Sequence, residues 1–316
     1  MNLDLTDKKM LLELDKNGRI PVSHLAKKLR INQNTAQYRL KKLEDTGYIK
    51  GYYTIIDNSK LGYFGFRIYL RLANSDQEID TEIHNYLIAL TEVHVLSRLE
   101  GNYDLAIMCW VKTIYEFYEF WNNFKEKFKK NMGRVQIAIF TKVIHFDRNY
   151  LVQNQKNSEP PKSLIVGGSP EVQFDERDIK ILKIMSNNAR VSVLEISKKL
   201  NMPAKTIAYR IKQLEKNDII VGYKPLLNLE KIGYKYYKIN IVLSETIKIR
   251  ELIEFAKYNP FITYIDFTIS QNDFEIDIEV STREEINRIM NEIKNITKIT
   301  DYEEITFREY IKLVYF

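Results

Sequence analysis

The sequence contains a single cysteine, Cys109, and none of its apolar runs approaches the ~20 residues that a membrane-spanning helix needs. One thiol cannot form an intrachain disulfide and gives no basis for a cysteine-based metal site. Asp4 and Asp7 stand where a secretory signal would carry a basic and then an apolar stretch, so we expect no such signal. Together these features predict a protein of the reducing cytoplasm.

Catalytic signatures are also missing from the sequence. The four histidines lie far apart, at His24, His84, His94 and His145. No His-Glu-x-x-His, P-loop or G-x-G-x-x-G pattern accompanies them. We therefore predict that the chain is not an enzyme and that it binds no cofactor and no metal.

Positive charge is concentrated in two stretches of the chain. Residues 1–60 hold 12 Lys and Arg against 7 Asp and Glu, and residues 170–231 hold 12 against 8. Since the net charge of the whole chain is +6, the remainder is net negative. Such clustering is typical of a polyanion-binding surface, although lysines on solvated helices would give the same count.

The two basic stretches are copies of one another. Residues 7–72 align with 178–243 without a gap, and about a third of the positions are identical. Each copy contains a segment with apolar residues at i, i+4 and i+7, which predicts a helix with one buried edge. Amides, Tyr, Lys and Arg make up the rest of its surface, as in a helix that meets phosphates and base edges. The two segments are 32–44 (NQNTAQYRLKKLE) and 203–215 (PAKTIAYRIKQLE).

Each repeated segment follows two shorter stretches with helical apolar edges, such as those around Leu14 and Leu25 in the first copy. Two short helices joined by a tight turn, the second rich in amides and bases, indicate a helix-turn-helix. Asn32 is suited to cap the recognition helix of the first copy. The β-branched and aromatic runs that follow, 49–56 and 219–223, predict the strands of a wing.

Beyond each wing the pattern reads strand, helix, strand, strand, helix, strand, with the last strands predicted at 135–146 and 306–316. This is the order of a ferredoxin-like βαββαβ unit. The polar stretch between the copies, which contains Pro160-Pro161 and Gly167-Gly168, indicates a linker. The predicted fold class is therefore α+β, a tandem duplication of a winged helix-turn-helix domain followed by a ferredoxin-like domain. The predicted boundaries are 1–62 and 63–150 for the first pair of domains, 151–172 for the linker, and 173–233 and 234–316 for the second pair.

These motifs resemble the Lrp/AsnC family of transcription regulators. The resemblance rests on residues 5–7 (LTD) and 17–19 (NGR), the run 38–44 (YRLKKLE) and residues 47–52 (GYIKGY), followed by the βαββαβ order. It covers nearly the whole chain apart from the linker and is most specific in the DNA-binding half. The family usually has one such unit per chain, assembled as dimers and higher oligomers. Two fused units therefore imply an intramolecular pseudo-dimer, and a homodimer of such chains would form a pseudo-tetramer.

The resemblance implies double-stranded DNA as the partner, read in the major groove by the repeated helix. The DNA-binding candidates in the first copy are Gln33, Asn34, Gln37 and Tyr38 for bases, Arg39, Lys41 and Lys42 for phosphates, and Thr35 beside them. Arg39 has an alternative role, since it could pair with an acidic neighbour. The candidates in the second copy are Lys205, Thr206, Tyr209, Arg210 and Lys212.

Three of the four base-facing positions differ between the copies, because Ala204, Lys205 and Ala208 replace the amides of the first copy. A palindromic operator needs identical heads, so we predict an asymmetric operator with unlike half-sites. Their centres should lie ~10 bp apart, or a multiple of that. The alternative is a second head that contacts only the DNA backbone.

The family's small-molecule response lies near the loop between the second and third strands of the βαββαβ unit. The first copy has Gly101, Asn102, Tyr103 and Asp104 there, whereas the second copy has residues 270–273 (SQND), without the glycine and the tyrosine. Because glycine permits a tight turn beside a ligand, the resemblance implies that the first copy would hold an amino-acid-like effector. A plain hairpin turn is the alternative.

The two predicted sheets carry opposite charges on one face. The third strand of the second copy alternates apolar residues with Glu275, Asp277 and Glu279, and the first strand of the first copy places Arg67 and Arg71 on its helix-free face. We expect the sheets to pack face to face with the arginines near the acidic stripe. An exposed acidic face is the alternative.

Two other functions fit the architecture. Siroheme decarboxylases resemble the same combination of domains and also occur as two-unit assemblies. They would carry His and Arg around the β-hairpin for a carboxylated tetrapyrrole, and this chain offers His94 and Arg98 in the first copy but no His in the second. The other alternative is a module whose winged helices bind protein rather than DNA.

Overall fold

The structure, a computed structural model, describes residues 3–152, 163–168 and 170–316. The first unit comprises α1 (Leu5–Lys16), α2 (Val22–Leu29), α3 (Gln33–Asp45), β1 (Ile49–Ile56), β2 (Phe64–Leu72), α4 (Gln77–Ala89), β3 (Val93–Glu100), β4 (Leu105–Val111), α5 (Ile114–Phe128) and β5 (Met132–Phe146). Strand β6 (Ser163–Gly167) follows. The second unit comprises α6 (Glu176–Ser186), α7 (Val193–Leu200), α8 (Ala204–Lys216), β7 (Ile220–Leu227), α9 (Leu229–Ile232), β8 (Lys235–Leu243), α10 (Ile249–Tyr258), β9 (Ile262–Ile269), β10 (Phe274–Val280), α11 (Arg283–Ile296) and β11 (Ile299–Leu313).

The predicted fold class is confirmed, since each unit runs from three helices through a strand into a βαββαβ domain. The stretch predicted as a linker contains β6, which pairs with the end of β5 from Lys142 to Phe146. The Pro160-Pro161 pair lies outside the described residues. The predicted domain boundaries otherwise stay predictions.

The strands of the two βαββαβ domains form one closed ring. Their order is β2-β4-β3-β11-β8-β10-β9-β5, and β5 also pairs with β2. The last strand of each unit crosses between units, because β5 pairs with β9 and β11 pairs with β3. Closure leaves no free edge in the ring, so backbone hydrogen bonds hold the two units together.

Helices cover the outside of the ring on both sides. Helices α4 and α5 pack on the sheet of the first unit, where the Phe117 ring stacks on Phe66 with centroids 3.8 Å apart. Helices α10 and α11 pack on the sheet of the second unit through Leu252, Ile286 and Ile293. This second core is continuous with the cores of the helix-turn-helix regions.

Charged side chains are buried inside the ring, between the two sheets. The Arg67 guanidinium donates hydrogen bonds to Asp266, at 2.8 Å, and to Glu275. The Lys238 ammonium lies 2.5 Å from Asp266 and 2.9 Å from Asp277. Burial alone would raise the pKa of Glu275, but Arg67 and Lys238 lower it to about 2. The predicted face-to-face packing is therefore confirmed for Arg67.

The same prediction is wrong for Arg71. Its guanidinium is half exposed and donates to the Gly101 carbonyl at 2.8 Å and to Asp104 at 3.2 Å, both in its own unit. Arg71 lies at the end of β2 beside the β3–β4 turn, so the nearest carboxylate is that of the turn rather than the acidic stripe.

The strand that follows each recognition helix pairs with its counterpart in the other unit. Strands β1 and β7 form a separate antiparallel two-stranded ribbon. Two backbone hydrogen bonds flank it, from Gly18 N–H to Tyr223 O at 2.7 Å and from Ala189 N–H to Tyr52 O at 2.9 Å. The strands predicted as wings are thus present, and they join the two helix-turn-helix regions.

Candidate nucleic-acid interface

Helix α3 exposes one face because its opposite edge is buried. The Asn32 side chain caps the helix by accepting a hydrogen bond from Thr35 N–H at 2.7 Å. Ala36, Leu40 and Leu43 are buried on the edge that packs on α1 and α2. In α8 the buried edge is equivalent, and Pro203 occupies the N-cap position without a side-chain hydrogen bond.

The candidate base-facing residues of α3 lie on its exposed face. Gln33, Asn34 and Gln37 are exposed, and the Tyr38 side chain retains 66% of its accessible surface. Lys41 is exposed on the same helix, whereas Lys42 and Thr35 are half-buried. The Lys42 ammonium lies 5.9 Å from the centroid of the Tyr38 ring.

Helix α8 presents a different surface at the equivalent positions. Lys205, Ala208 and Lys212 are exposed, and Tyr209 is 62% exposed. Thr206 is half-buried. The two heads therefore share a projecting tyrosine but differ in the residues around it.

The arginine that follows each tyrosine is held by an ion pair within its own head. The Arg39 guanidinium lies 2.7 Å from Asp4 and 2.7 Å from Asp7, the two carboxylates that cap α1. The backbone N–H of Asp7, together with Arg39, lowers the pKa of Asp4. Arg39 thus takes the alternative role predicted from the sequence, pairing with an acidic neighbour.

Arg210 repeats the arrangement in the second head. Its guanidinium lies 2.8 Å from Asp175 and 2.9 Å from Asp178, at the start of α6. A phosphate contact would have to break these pairs.

Arg19 and Arg190 each contact the opposite head. Neither residue was identified from the sequence. Arg19 donates to the carbonyl of Ala189 and lies over the Tyr223 ring at 5.3 Å. Arg190 donates to the carbonyl of Gly18 at 2.8 Å and lies over the Tyr52 ring at 5.0 Å. The contacts are reciprocal, and a signal for them existed, since the alignment pairs these residues at equivalent positions.

The same tyrosines reach the recognition helices. The Tyr52 hydroxyl donates to Glu44 of α3 at 2.7 Å, and the Tyr223 hydroxyl donates to Glu215 of α8 at 2.6 Å. Burial and these carboxylates raise the pKa of both tyrosines, so each hydroxyl keeps its proton and its donor role. A continuous set of contacts thus runs from each recognition helix to the opposite head.

A buried charge cluster fixes the heads on the ring. Asp15 of α1 accepts from Arg148 at 2.6 Å and from Lys224 of β7 at 2.9 Å. Arg148 also donates to Glu279 of β10 at 2.8 Å. Although burial would raise the pKa of Asp15, Lys224 and Arg148 lower it. The cluster therefore joins elements from both heads and from the ring.

The candidate effector loop folds into a turn that uses most of its own side chains. Tyr103 is buried and donates to Gln136 at 2.9 Å, and Asp104 accepts from Leu72 N–H at 2.7 Å. Asn102 donates to Glu303 of β11 at 2.8 Å. Gly101 has φ +112° and faces open space.

The second unit shows what the aspartate does. Asp273 accepts from Leu243 N–H at 2.8 Å, as Asp104 accepts from Leu72 N–H. The aspartate is therefore part of the turn in both units, whereas the glycine with positive φ belongs only to the first.

The histidine and arginine of the enzyme alternative both belong to β3. Arg98 pairs with Glu309 at 3.1 Å and contacts His84, and His94 bonds to the Glu92 carbonyl at 3.0 Å. Over residues 3–152, 163–168 and 170–316, no group of three or more His, Cys, Asp or Glu side chains is placed to hold a metal ion. No helix in these ranges is both long and apolar enough to cross a membrane.

Comparison with known proteins agrees with the duplicated heads. A family model described as winged helix-turn-helix DNA-binding matches twice, at residues 3–50 and 174–221. An uncharacterised HTH-type transcriptional regulator of Pyrococcus furiosus is 31% identical over 125 residues, which are 40% of this chain and 84% of that protein. The HTH-type transcriptional regulator LrpA of Pyrococcus horikoshii is 32% identical over 132 residues, 40% of this chain and 92% of that protein.

A solved structure shares the fold of the whole chain. The siroheme decarboxylase NirDL superposes with a TM-score of 0.65 at 14% identity, over 98% of this chain and 93% of that one. At this identity the likeness shows the fold alone.

The duplicated heads and the relatives define a helix-turn-helix transcription regulator of Lrp type. The chain belongs to the Lrp/AsnC family, as two family units fused in tandem.

Proposed function

We propose that this chain binds an asymmetric DNA operator as an intramolecular pseudo-dimer, with α3 and α8 reading unlike half-sites. The observation that carries the proposal is the pairing of β1 with β7, because it joins the two heads that carry different recognition helices. Two-fold related heads read half-sites one helical turn apart or a multiple of it, so the same spacing applies here.

The exposed residues support a division of labour between the heads. Gln37 and Asn34 carry amides, which can donate to and accept from adenine at the same time, so α3 reads bases. Ala208 can meet only an apolar edge such as the thymine methyl group, and Lys205 is a point charge suited to guanine or phosphate. The half-site of α8 should therefore be less sharply defined.

We assign the phosphate contacts to residues that form no ion pair within the described part of the chain. Lys41 of α3 and Lys212 of α8 are exposed on the recognition helices and are suited to this role. Arg39 and Arg210 act instead by holding each recognition helix to the first helix of its head.

Selection of duplexes from a random library by the full chain tests the proposal. We expect two unlike half-sites, and their binding should survive competitor DNA and weaken steeply with salt. A perfect palindrome, or no selection above background, would contradict it. A tetrapyrrole absorbance in the purified protein would favour the decarboxylase alternative instead.

A triple variant sharpens this experiment. Gln33→Ala, Asn34→Lys and Gln37→Ala give α3 the residues of α8 at these positions. If the heads read DNA independently, the variant should select two like half-sites, arranged as a palindrome. The control is Thr91→Ala, an exposed change far from both recognition helices, which should leave the selected sequence as it is in the wild type.

We further propose that an amino-acid-like effector binds at the β3–β4 turn of the first unit. Gly101 and Asn102 are the exposed members of this turn, and Gly101 leaves room for a ligand beside the backbone. Calorimetric titration with each of the amino acids tests this, with Gly101→Val as the control. Binding that is unchanged in the variant would place the effector elsewhere.

A further inference from the structure

A lysine from each unit reaches the C-terminal end of the other unit's recognition helix. The Lys231 ammonium donates to the backbone carbonyl of Thr46, at the end of α3, at 2.7 Å. The Lys60 ammonium donates to the backbone carbonyl of Asn217, at the end of α8, at 2.8 Å. The two lysines are equivalent in the aligned copies, and so are the two residues that accept, so the contacts are reciprocal.

The end of a helix is a favourable place for a cation. The last four carbonyls of a helix have no hydrogen-bond partner within it, and the aligned peptide dipoles give this end a partial negative charge. A lysine ammonium that donates to one of these carbonyls stabilises the helix end. In both heads of this chain, a lysine of the other unit supplies that ammonium.

Backbone hydrogen bonds anchor the segments that carry the two lysines. Asp57 N–H donates to the Ile219 carbonyl at 2.9 Å, and Asn228 N–H donates to the Tyr48 carbonyl at 2.9 Å. Each accepting carbonyl lies two residues beyond the helix-end carbonyl that the lysine contacts. The lysines therefore approach the helix ends from segments that are already attached beside them.

Each lysine lies on the short stretch that leads from the two-stranded ribbon into the ring. Lys60 belongs to the helical turn Asn58–Leu61, between β1 and β2, and Lys231 belongs to α9, between β7 and β8. The end of each recognition helix is therefore connected to the ring through the opposite unit.

A phosphate contact is the other role open to a lysine near a recognition helix. The Lys60 side chain is only 11% exposed, and its ammonium also lies 3.7 Å from the Asp218 carboxylate. Lys60 is therefore enclosed by its partners rather than presented to DNA. Lys231 is exposed, so the two roles have to be separated by experiment at this position.

We propose that Lys60 and Lys231 are positioning residues, each of which determines how well the recognition helix of the other unit discriminates between bases. This role rests on the proposed function. Hydrogen bonds to base edges form only within a narrow range of distance and angle, so a recognition helix that is held less firmly discriminates less. Lys231 of the second unit acts on the half-site of α3, and Lys60 of the first unit acts on the half-site of α8.

The test is binding of the full chain to its selected operator and to versions with single base changes in either half-site. Lys231→Gln should lower discrimination in the half-site of α3 by about two- to fivefold, the factor expected for the loss of a charge at a helix end. The half-site of α8 should be unaffected. Lys60→Gln should have the reverse effect. The triple variant of α3 described above identifies which half-site belongs to which helix. A loss confined to the half-site of the variant's own unit would overturn the proposal.

Two further variants and the salt dependence exclude other causes. Lys231→Arg keeps the charge and the donors, so it should keep the discrimination of the wild type. Lys235→Gln removes an exposed lysine at the start of β8 and should leave both half-sites unchanged. If Lys231→Gln instead reduces the slope of log affinity against log salt by about 1 and leaves base discrimination intact, the lysine is a phosphate contact and the proposal is wrong.

Hydrogen exchange without DNA separates this proposal from the proposed function. Lys231→Gln should speed exchange at the N–H groups of Thr46 and Gly47, which bond to carbonyls of the last turn of α3, because that turn opens more often. Exchange at Asn217 and Asp218, the equivalents in α8, should stay as in the wild type. If the chain selects no operator, the proposed function fails, and this pattern would still show that the lysine holds the helix end of the other unit. Faster exchange at the end of α8, or at neither end, would overturn the proposal whatever the DNA result.

Discussion

At the scale of single residues, side chains of the same charge have different roles according to their neighbours. Arg39 and Lys41 are two positions apart on α3, but Arg39 is held by the carboxylates that cap α1 whereas Lys41 is exposed. The charge of Lys41 therefore faces solvent, as the proposed phosphate contact requires, whereas the charge of Arg39 is paired within the head.

Substituting these two residues should separate stability from binding. Arg39→Ala removes a partly exposed ion pair and should lower the free energy of unfolding by about 1 kcal/mol. Lys41→Ala should leave stability unchanged and reduce the slope of log affinity against log salt by about 1, since one phosphate contact is lost. Urea unfolding and mobility shift at several salt concentrations measure the two effects. A steeper loss of salt dependence in Arg39→Ala would reverse the assignment.

The acids inside the ring should respond oppositely to pH. The pKa of Glu275 is about 2, below its ordinary value, so its charge stabilises the fold above about pH 4.5 and this contribution is lost as the pH falls. Burial raises the pKa of Asp277 to about 6, so its charge weakens the fold as the pH rises from about 4 to 6. Two cations, Arg67 and Lys238, face three carboxylates, which accounts for the difference.

Neutral variants should reveal this difference in thermal melts. Glu275→Gln should lower the free energy of unfolding at pH 7 by about 3 kcal/mol, because each unit of pKa shift corresponds to about 1.36 kcal/mol. The loss should be smaller at pH 4. The free energy of unfolding of Asp277→Asn, relative to that of the wild type, should be higher at pH 7 than at pH 4. The same pH trend in both variants would contradict the opposite shifts.

At the scale of elements, a tight contact between β2 and β4 shows how the first unit is packed. A Cβ atom on Gly65 would lie 2.2 Å from the Trp110 ring, which itself stacks on Phe140. The second unit has Tyr236 at the position of Gly65 and Glu279 at that of Trp110. Large and small side chains are thus exchanged between the two strands.

Gly65→Ala should therefore lower the free energy of unfolding by about 1–3 kcal/mol, the usual effect of overpacking. Trp110→Leu in the same chain should recover part of this loss, because the smaller side chain leaves room for the new methyl group. Chemical denaturation of the single and double variants measures the coupling free energy between positions 65 and 110. If the two changes in the free energy of unfolding simply add, the cost of Gly65→Ala does not come from the contact with the Trp110 side chain.

The sequence predicted the elements better than their pairing. Apolar spacing predicted α3 and α8, and a run of β-branched and aromatic residues predicted β1, because these signals are local in the sequence. It did not predict that β1 pairs with β7, since a strand pattern does not state its partner. The start of β11 was missed: residues 299–305 include Asp301, Glu303 and Glu304, and a strand that polar residues dominate lacks the apolar signal.

The candidate site was predicted to a similar extent. The polar face of α3 follows from composition, whereas the ion pair of Arg39 was one of two alternatives until the position of Asp7 was known. Arg19 and Arg190 escaped notice because their partners are backbone carbonyls and aromatic rings of the other unit. Contacts distant in sequence are the part that a local pattern cannot supply.

At the scale of the molecule, the buried charges select the pairing of unlike units. In a dimer of two first units, Arg67 would face Ser97 and Ala106, the counterparts of Asp266 and Glu275. A buried guanidinium without a carboxylate costs about 3–5 kcal/mol, and a dimer would contain two. The buried charges therefore disfavour self-association of the first unit through this face.

Separate production of residues 1–152 and 163–316 tests this selection. Mixed together, the two pieces should form a one-to-one complex, and residues 1–152 alone should form no stable homodimer. Arg67→Leu in the first piece should allow homodimers by removing the unpaired charge. Native mass spectrometry measures the stoichiometry, and a stable wild-type homodimer of the first piece would contradict the argument.

The crossing of the last strands also has a consequence for synthesis on the ribosome. Strand β5 is complete at Phe146, but its partner β9 ends at Ile269, 123 residues later. At about 5–20 residues per second, the newly made β5 waits roughly 6–25 s for that partner. During this interval its unpaired edge is open to the same strand of a neighbouring nascent chain. During translation there is thus a period in which pairing of β5 between neighbouring nascent chains competes with closure of the ring within one chain.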